Sequence, residues 1–327
     1  MMDPLRVVAA GDDFLRPSLI ARAVGDALRE HPPEVRELTD GTTEERLIEA
    51  LAGARVLVTR EGPVTARVLD ARPELRLVVI CPGGSAEADL DAAKARGVTV
   101  CRIPRPEAAA TAEYALGLML AALRRIPQTH ELLAGRGDWA GAVRTGYEGT
   151  GLELEDLPVG LVGHGVIGGR VARVLCAFGA QVMVHDPYVR GEIHGLRVAS
   201  LDELLTRSRV LTLHARLAPG TGGLIGAREL ALLPPGAVVV NAAQGDLLDE
   251  DALCDALESG RVSAAALDTY AREPVPDGSR LFGFADRVVL TPHLAGSTRA
   301  VAEKAARSAA EEVARWARGR STAHCLV

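Results

Sequence analysis

Apolar runs of strand length alternate along this chain with stretches of helical spacing. Residues 5–10, 55–59, 76–80 and 98–101 are such runs, and between the first two Leu19, Ala23, Val24 and Ala27 mark one helical face. Strands that alternate with helices predict βαβ units and a parallel sheet. Residues 107–125 read as a helix that is apolar almost all round, which belongs buried between layers. From 127 to 158 the pattern dissolves into a glycine-rich region with Trp139 and Tyr147, expected to pack on a partner subunit. The alternation then resumes: residues 210–213, 237–240, 264–267 and 288–290 are further apolar runs. Ser200 and Glu203 predict a capping box for a helix through Leu204 and Leu205. Val301, Ala305, Ala309 and Val313 predict a last helix over residues 297–317, returning to the first domain.

The most informative stretch is residues 159–188, VGLVGHGVIGGRVARVLCAFGAQVMVHDPY. An apolar strand enters Gly163, Gly165 and Gly168, and a helix follows with Val171, Val174, Leu175 and Phe178 on one face. Gly179 ends that helix, and a second strand, residues 182–184, leads to Asp186, 18 residues after Gly168. Each residue type answers a steric or electrostatic need of a bound dinucleotide. Gly163 permits the tight turn, Gly165 lets a pyrophosphate approach the backbone, and Gly168 lets helix and strand pack closely. Free N–H groups at the helix start face the phosphates. Asp186 accepts from a ribose 2′-hydroxyl and repels a 2′-phosphate, so NAD is favoured over NADP.

Length and charge narrow the remaining classes. At 327 residues the chain accommodates two domains. A net charge of -6 without a Lys/Arg block argues against nucleic acid and anionic membranes as partners. The apolar run at residues 114–123 is too short to span a bilayer, and the first residues read as a strand rather than a signal. Cys81, Cys101, Cys176, Cys254 and Cys325 lack metal-ligand or disulfide spacing. They read as reduced, mostly buried thiols of a cytoplasmic protein, with no metal site.

Polar residues sit where the later strands give way to loops: His214, Asn241, Asp268 and the pair Pro292-His293. In an open parallel sheet, ligands bind beyond the carboxyl ends of the strands, so these groups are expected to share one crevice and to serve an enzyme. Hydride transfer to a ketone needs a proton donor beside the developing alkoxide. His293 suits that role if Glu273 pairs with it, since a carboxylate on one imidazole nitrogen fixes the tautomer and favours the charged ring. His214 reads as lining the cofactor site, and Arg216 as facing the phosphates or solvent. The glycines of residues 81–85, CPGGS, read as a turn or as bare N–H groups for a small anion.

Taken together, the motifs resemble the D-isomer-specific 2-hydroxyacid dehydrogenases, the family of phosphoglycerate and hydroxypyruvate or glyoxylate reductases. The likeness runs from about Gly83 to Gly296: VGLVGHGVIG at 159–168, HDPY at 185–188, LHARL at 213–217, NAAQGDLLDEDAL at 241–253, ALDTYAREP at 266–274 and TPHLAGST at 291–298. The resemblance implies an α/β protein of two Rossmann-like parallel-sheet domains. One is a central NAD-binding domain, residues 104–295; the other is a discontinuous, flavodoxin-like lid or substrate domain, residues 1–103 plus 296–327. It also implies a homodimer. The family's catalytic pair maps onto Glu273 and His293. Val166 and Ile167 match the pyrophosphate-contacting turn, Asp186 the ribose acid, Asp268 the nicotinamide contact, and Ala243 a further cofactor-binding position. Gly83 and Gly84 match the loop that holds the substrate carboxylate.

One departure stands out. Where the family carries arginine in its NxAR motif, this chain has Gln244, and Pro82 stands where relatives often have another arginine. Glutamine donates hydrogen bonds but brings no charge and no guanidinium fork. Arg105 is a candidate substitute. The expected function is NAD-dependent interconversion of a small 2-oxoacid and its D-2-hydroxy acid, with His293, Glu273 and Gln244 as the catalytic set. The alternative is a non-catalytic NAD(H)-binding redox sensor or scaffold.

Overall fold

The computed structural model describes residues 4–39, 42–83, 85–104, 106–147, 149, 151–218 and 220–327. Gly84 and Arg105 lie outside the described residues. The chain divides into two units, Met1–Glu107 with Ser297–Val327, and Ala108–Gly296.

In the first unit the strands are β1 (Arg6–Ala10), β2 (Glu34–Leu38), β3 (Val56–Thr59), β5 (Leu77–Ile80) and β7 (Thr99–Arg102); β4 (Pro63–Val64) and β6 (Glu87–Ala88) form a separate two-residue ladder. The main sheet is parallel in the order β2-β1-β3-β5-β7, a flavodoxin-like winding. The period of two along each strand sorts side chains between its faces. Val7, Ala9, Val56, Val58, Leu77 and Val79 meet α1 (Pro17–Ala27) and α12 (Arg299–Ala317). Val8, Ala10, Leu57, Val78 and Ile80 meet α2 (Glu44–Ala50), α3 (Ala66–Ala71) and α4 (Leu90–Ala95). These three short helices start on side-chain caps, with Thr43, Thr65 and Asp89 each accepting from an N–H of the first turn.

The second unit opens with α5 (Ala108–Arg124), α6 (Ile126–His130), a π-helical turn and α7 (Trp139–Tyr147). Its strands are β8 (Pro158–Val162), β9 (Gln181–His185), β10 (Glu192–Ile193), β11 (Leu196–Val198), β12 (Val210–Leu213), β13 (Ala237–Asn241), β14 (Val262–Leu267) and β15 (Val288–Leu290). They form one sheet in the order β10-β11-β9-β8-β12-β13-β14-β15, parallel except for β10 against β11. Without the edge strands this is the doubly wound 3-2-1-4-5-6 order of a Rossmann domain. α5 and α8 (Val166–Ala177) cover one face through Leu118, Met119, Val171 and Leu175. α9 (Leu201–Arg207), α10 (Ala227–Leu232) and α11 (Glu250–Glu258) cover the other through Leu204, Leu205, Leu230 and Leu253. The structure thus has the expected mixed α/β architecture with two parallel sheets.

Two local expectations are corrected. Residues 126–136 and 139–147 are helical: Trp139, Val143 and Tyr147 recur four residues apart, a helical spacing that the glycines at 135, 137, 141 and 146 obscured. The helix at Leu201–Arg207 has half of the expected capping box: Ser200 accepts from the Glu203 N–H at 3.2 Å, but the Glu203 carboxylate turns to Arg197 instead of the Ser200 N–H. An arginine within reach on β11 offers the carboxylate a charge-assisted partner that competes with a neutral N–H.

Candidate active site

Parallel register aligns the carboxyl ends of the central strands. Val162 pairs with both His185 and Leu213, Leu213 with Asn241, Asn241 with Leu267, and Leu267 with Leu290. The residues that follow therefore lie along one edge of the sheet: Asp186, Gly163, His214, Ala243, Asp268 and the loop carrying His293. The strand order reverses direction between β8 and β12, and Gly163 stands at that switch point.

The glycine turn is built as a dinucleotide requires. Gly163 has φ +92°, and a Cβ there would lie 2.6 Å from the Ala215 nitrogen, at the start of the loop after β12. A Cβ on Gly168 would lie 2.0 Å from the Gly163 carbonyl oxygen, so helix and strand meet only because it is absent. Gly165 has open space where a side chain would be and is the N-cap of α8 without a side-chain cap. Val166 is exposed and Ile167 half-buried over the same turn. Across from it, the Asp186 carboxylate accepts the His164 N–H at 2.8 Å and the Tyr188 N–H at 2.9 Å, which aims it from the tip of β9. Open space at the uncapped helix start and a fixed acid at the second strand fit an NAD molecule.

His214 adds a second sign of an absent partner. Its Nε2 contacts the Thr212 hydroxyl at 2.9 Å, whereas Nδ1 is enclosed and has no hydrogen-bond partner among the described residues. Burial pushes its pKa from the ordinary 6.5 down to about 4. A histidine whose folded pKa is lowered destabilises the fold once the unfolded chain protonates. Its contribution is therefore intact above pH 6.5 and is lost as pH falls from 6.5 toward 4, by about 3 kcal/mol in total. Urea unfolding at pH 7.5 and pH 4.5 should show this acid-dependent loss in the natural chain and not in His214→Asn. Equal losses in both would assign the acid sensitivity elsewhere.

At the other end of the row, His293 Nδ1 lies 2.8 Å from Glu273 Oε2, with both side chains partly exposed. A carboxylate only accepts, so Nδ1 carries the proton of this bond. Oε1 of Glu273 accepts the Tyr270 N–H at 3.1 Å, which fixes the carboxylate in turn. His293 itself is left-handed, φ +53°, a strained conformation for a residue with a side chain. Its loop is held from below. Asp268, fully buried, accepts the Thr291 hydroxyl at 2.6 Å and the N–H groups of Leu294 and Ala295 at 2.9 and 2.8 Å. The Tyr270 hydroxyl donates to the carbonyl oxygens of Thr291 and Leu267. Burial pushes its pKa up to about 12, which keeps it a donor.

Gln244 sits between these ends, at the start of a 3-10 turn after β13. The buried Asn241 shapes this turn, donating from Nδ2 to the Gln244 carbonyl oxygen at 2.9 Å and accepting the Ala243 N–H at 3.1 Å. Gly245 is obligatory, since a Cβ would fall 1.9 Å from the Tyr270 carbonyl carbon. The Gln244 carboxamide makes no hydrogen bond among the described residues. Arg216 is exposed and unpaired in the same sense, and no group of acids, histidines and cysteines there is arranged to hold a metal.

Gly83 belongs to the other unit, where it has φ +79°. Arg60 anchors its loop, donating from Nε to the Pro82 carbonyl oxygen at 3.2 Å and from Nη2 to that of Gly83 at 2.6 Å, while pairing with Asp12. The roles of Arg60, Tyr270 and the Asp268 carboxylate toward its own loop were invisible in the sequence. Each depends on contacts between residues that are remote along the chain or on the direction of a loop.

Comparison with known proteins gives the family. Residues 116–295 match the family model described as D-isomer specific 2-hydroxyacid dehydrogenase, NAD binding domain. The chain belongs to that family. It is 42% identical over 305 residues to a D-3-phosphoglycerate dehydrogenase from Mycobacterium bovis, covering 92% of this chain and 55% of that protein. It is 32% identical to a glycerate dehydrogenase from Methylorubrum extorquens, covering 82% of this chain and 84% of that one. A crystal structure of a glyoxylate reductase from Paecilomyes thermophila superposes with a TM-score of 0.77 at 27% identity, covering 99% of each chain. This member of the family therefore spans about half the length of the phosphoglycerate dehydrogenase it matches. The residues matched by the NAD-binding domain model, 116–295, fall within its second unit.

Proposed function

We propose that the chain is an NAD-dependent dehydrogenase that interconverts a small 2-oxoacid and its D-2-hydroxy acid. The observation that carries this reading is the 2.8 Å contact between His293 and Glu273 at the carboxyl edge of a sheet with an NAD-type turn. Bound NADH supplies the hydride. His293, with Nδ1 committed to Glu273, presents Nε2 to the carbonyl oxygen and gives it a proton in reduction, taking it back in oxidation. Glu273 sets the tautomer and stabilises the ring when it is charged. Gly163, Gly165, Val166, Ile167 and Gly168 receive the pyrophosphate, Asp186 the ribose, and His214 and Ala243 line the remainder of the cofactor site, with the buried Asp268 holding the loop beneath the nicotinamide end. Gly83 and Gly84 offer backbone N–H groups to the substrate carboxylate, with residues 1–103 plus 296–327 as the substrate domain.

Gln244 takes the place of a substrate-gripping cation. Asn241 fixes the backbone at Gln244, and the free carboxamide donates to the substrate without charge. Hydrogen bonds to charged groups contribute about 1.5–3 kcal/mol, so Gln244→Arg should raise kcat/KM on simple 2-oxoacids by about tenfold or more. A steady-state comparison across glyoxylate, hydroxypyruvate and phenylpyruvate reads this directly. No gain on any acid would remove Gln244 from the substrate site.

The chain also forms a homodimer in this reading. Its support is the apolar surface of residues 126–147, where Ile126, Trp139, Val143 and Tyr147 are 54%, 70%, 55% and 89% exposed. Sedimentation at about twice the 34.4 kDa chain mass is expected, and a 34.4 kDa species at micromolar concentration would remove the dimer. The five thiols are unpaired, three of them buried, which suits a reducing cytoplasmic setting.

A further inference from the structure

Every parallel crossover of the second unit contains a helix or a 3-10 turn except the one from β9 to β11, residues 186–195, which contains only the two-residue strand β10. A right-handed βαβ crossover there would lay a helix on the sheet beside α8. Its absence leaves the outer side of α8 open, and a cavity of about 640 Å³ lies there, lined by His164, Arg170, Arg173, Cys176, His194 and Leu196. The cavity meets the dinucleotide turn at Gly165 and Val166, but Asp186, His214 and Asp268 do not line it. It adjoins the NAD site, sharing Gly165 and Val166 with it, and extends away from it along α8.

Its walls are cationic in a chain of net charge -6. Arg170 and Arg173, one turn apart on α8, form no ion pair or hydrogen bond among the described residues, whereas Arg197 and Arg228 nearby in the sequence pair with Glu203 and with Asp202 and Glu229. The imidazole of His164 lies over Gly169, where a Cβ would stand 3.3 Å from the ring. His194 is held left-handed at φ +51°, between Gly191 and Gly195, and its ring centroid comes within 6.3 Å of that of His164. Two guanidinium forks and two imidazoles thus face one space with no carboxylate among the lining residues.

We infer that this cavity binds a small molecule through a phosphate monoester. Three phosphoryl oxygens with nearly two negative charges match four converging donors, and the guanidinium fork is the side chain best shaped for phosphate. A carboxylate would engage one arginine and leave the other alone. The volume also suits the body of a small ligand, with Leu196 as apolar wall. The same phosphate chemistry has two sources, a separate phosphorylated metabolite or the 2′-phosphate of a cofactor. Asp186 beside the ribose position opposes the second, so the site is assigned to the first.

Calorimetric titration of the full chain with glycerol 3-phosphate, in the presence of saturating NADH, tests this. Binding is expected in the natural chain, weakened at least about tenfold in Arg170→Ala/Arg173→Ala and largely recovered in Arg170→Lys/Arg173→Lys. NADH affinity, unchanged in both variants, serves as the control for folding. A parallel NADPH titration separates the sources: tight NADPH binding lost in the alanine variant, without glycerol 3-phosphate binding, would give the phosphate site to the cofactor and overturn the assignment to a metabolite. Glycerol 3-phosphate binding that disappears with NADH present and ignores the arginines would place the phosphate on the glycine turn. That result, or no binding of either probe, would overturn the inference.

Discussion

Replacing His293 with asparagine is expected to lower turnover by about 10²–10⁴ while NADH still binds, the range for losing a positioned general acid. In free energy this is about 3–5 kcal/mol of transition-state stabilisation. Asparagine is the better probe because His293 sits at φ +53°, a left-handed conformation that asparagine tolerates and alanine adopts only with strain. The amide is also similar in size yet does not titrate. NADH fluorescence reports binding and single-turnover absorbance reports hydride loss, so a folding defect and a chemical defect separate. If the asparagine variant turned over as fast as the natural chain, the proton would have to come from another group.

The second large effect is structural and reaches the chemistry through the loop. Asp268→Ala removes the acceptor shared by the Thr291 hydroxyl and the Leu294 and Ala295 N–H groups. The hydroxyl turns to the Leu267 carbonyl oxygen 3.4 Å away, but the two N–H groups, that of Ala295 buried and that of Leu294 half-buried, lose their acceptor. Leaving both unpaired costs about 3 kcal/mol, which for a domain of this size lowers Tm by roughly 6–12 °C. Because the His293 N–H also bonds the Asp268 backbone at 2.9 Å, the loop keeps one tether and loses its orientation. The variant should therefore show a lower kcat below its melting temperature as well as the lower Tm, measured by calorimetry and steady-state kinetics. A full kcat with an unchanged Tm would show that the carboxylate does not hold this loop.

Much of this site was legible because sterics and periodicity write it locally. Gly163 and Gly168 are spaced for a turn that excludes a Cβ, and the apolar strands end abruptly at Asp186, His214, Asn241 and Asp268. Parallel pairing then aligns those ends without further instruction. The edge strand Glu34–Leu38, EVREL, was not legible, because it is mostly solvent-facing and three of its five residues, Glu34, Arg36 and Glu37, are charged. The helices of residues 126–147 escaped for another reason: Trp139, Val143 and Tyr147 do recur at helical spacing, but the glycines among them read as loop and their face has no cover within the chain. The empty crossover after β9 is the hardest case. Its sequence, DPYVRGEIHG, shows glycines and charges, but the cavity it leaves beside α8 becomes visible only when the neighbouring helix fails to appear. Cys176, read from sequence as one of mostly buried thiols, is exposed for this same reason.

The most direct test of the proposed chemistry is NADH oxidation by the purified chain across a panel of 2-oxoacids, including glyoxylate, hydroxypyruvate, phenylpyruvate and phosphorylated analogues, with NADH binding followed in parallel. The account predicts turnover on at least one class, with the D-hydroxy acid as product and His293 required for it. Tight NADH binding with no turnover on any acid would contradict it.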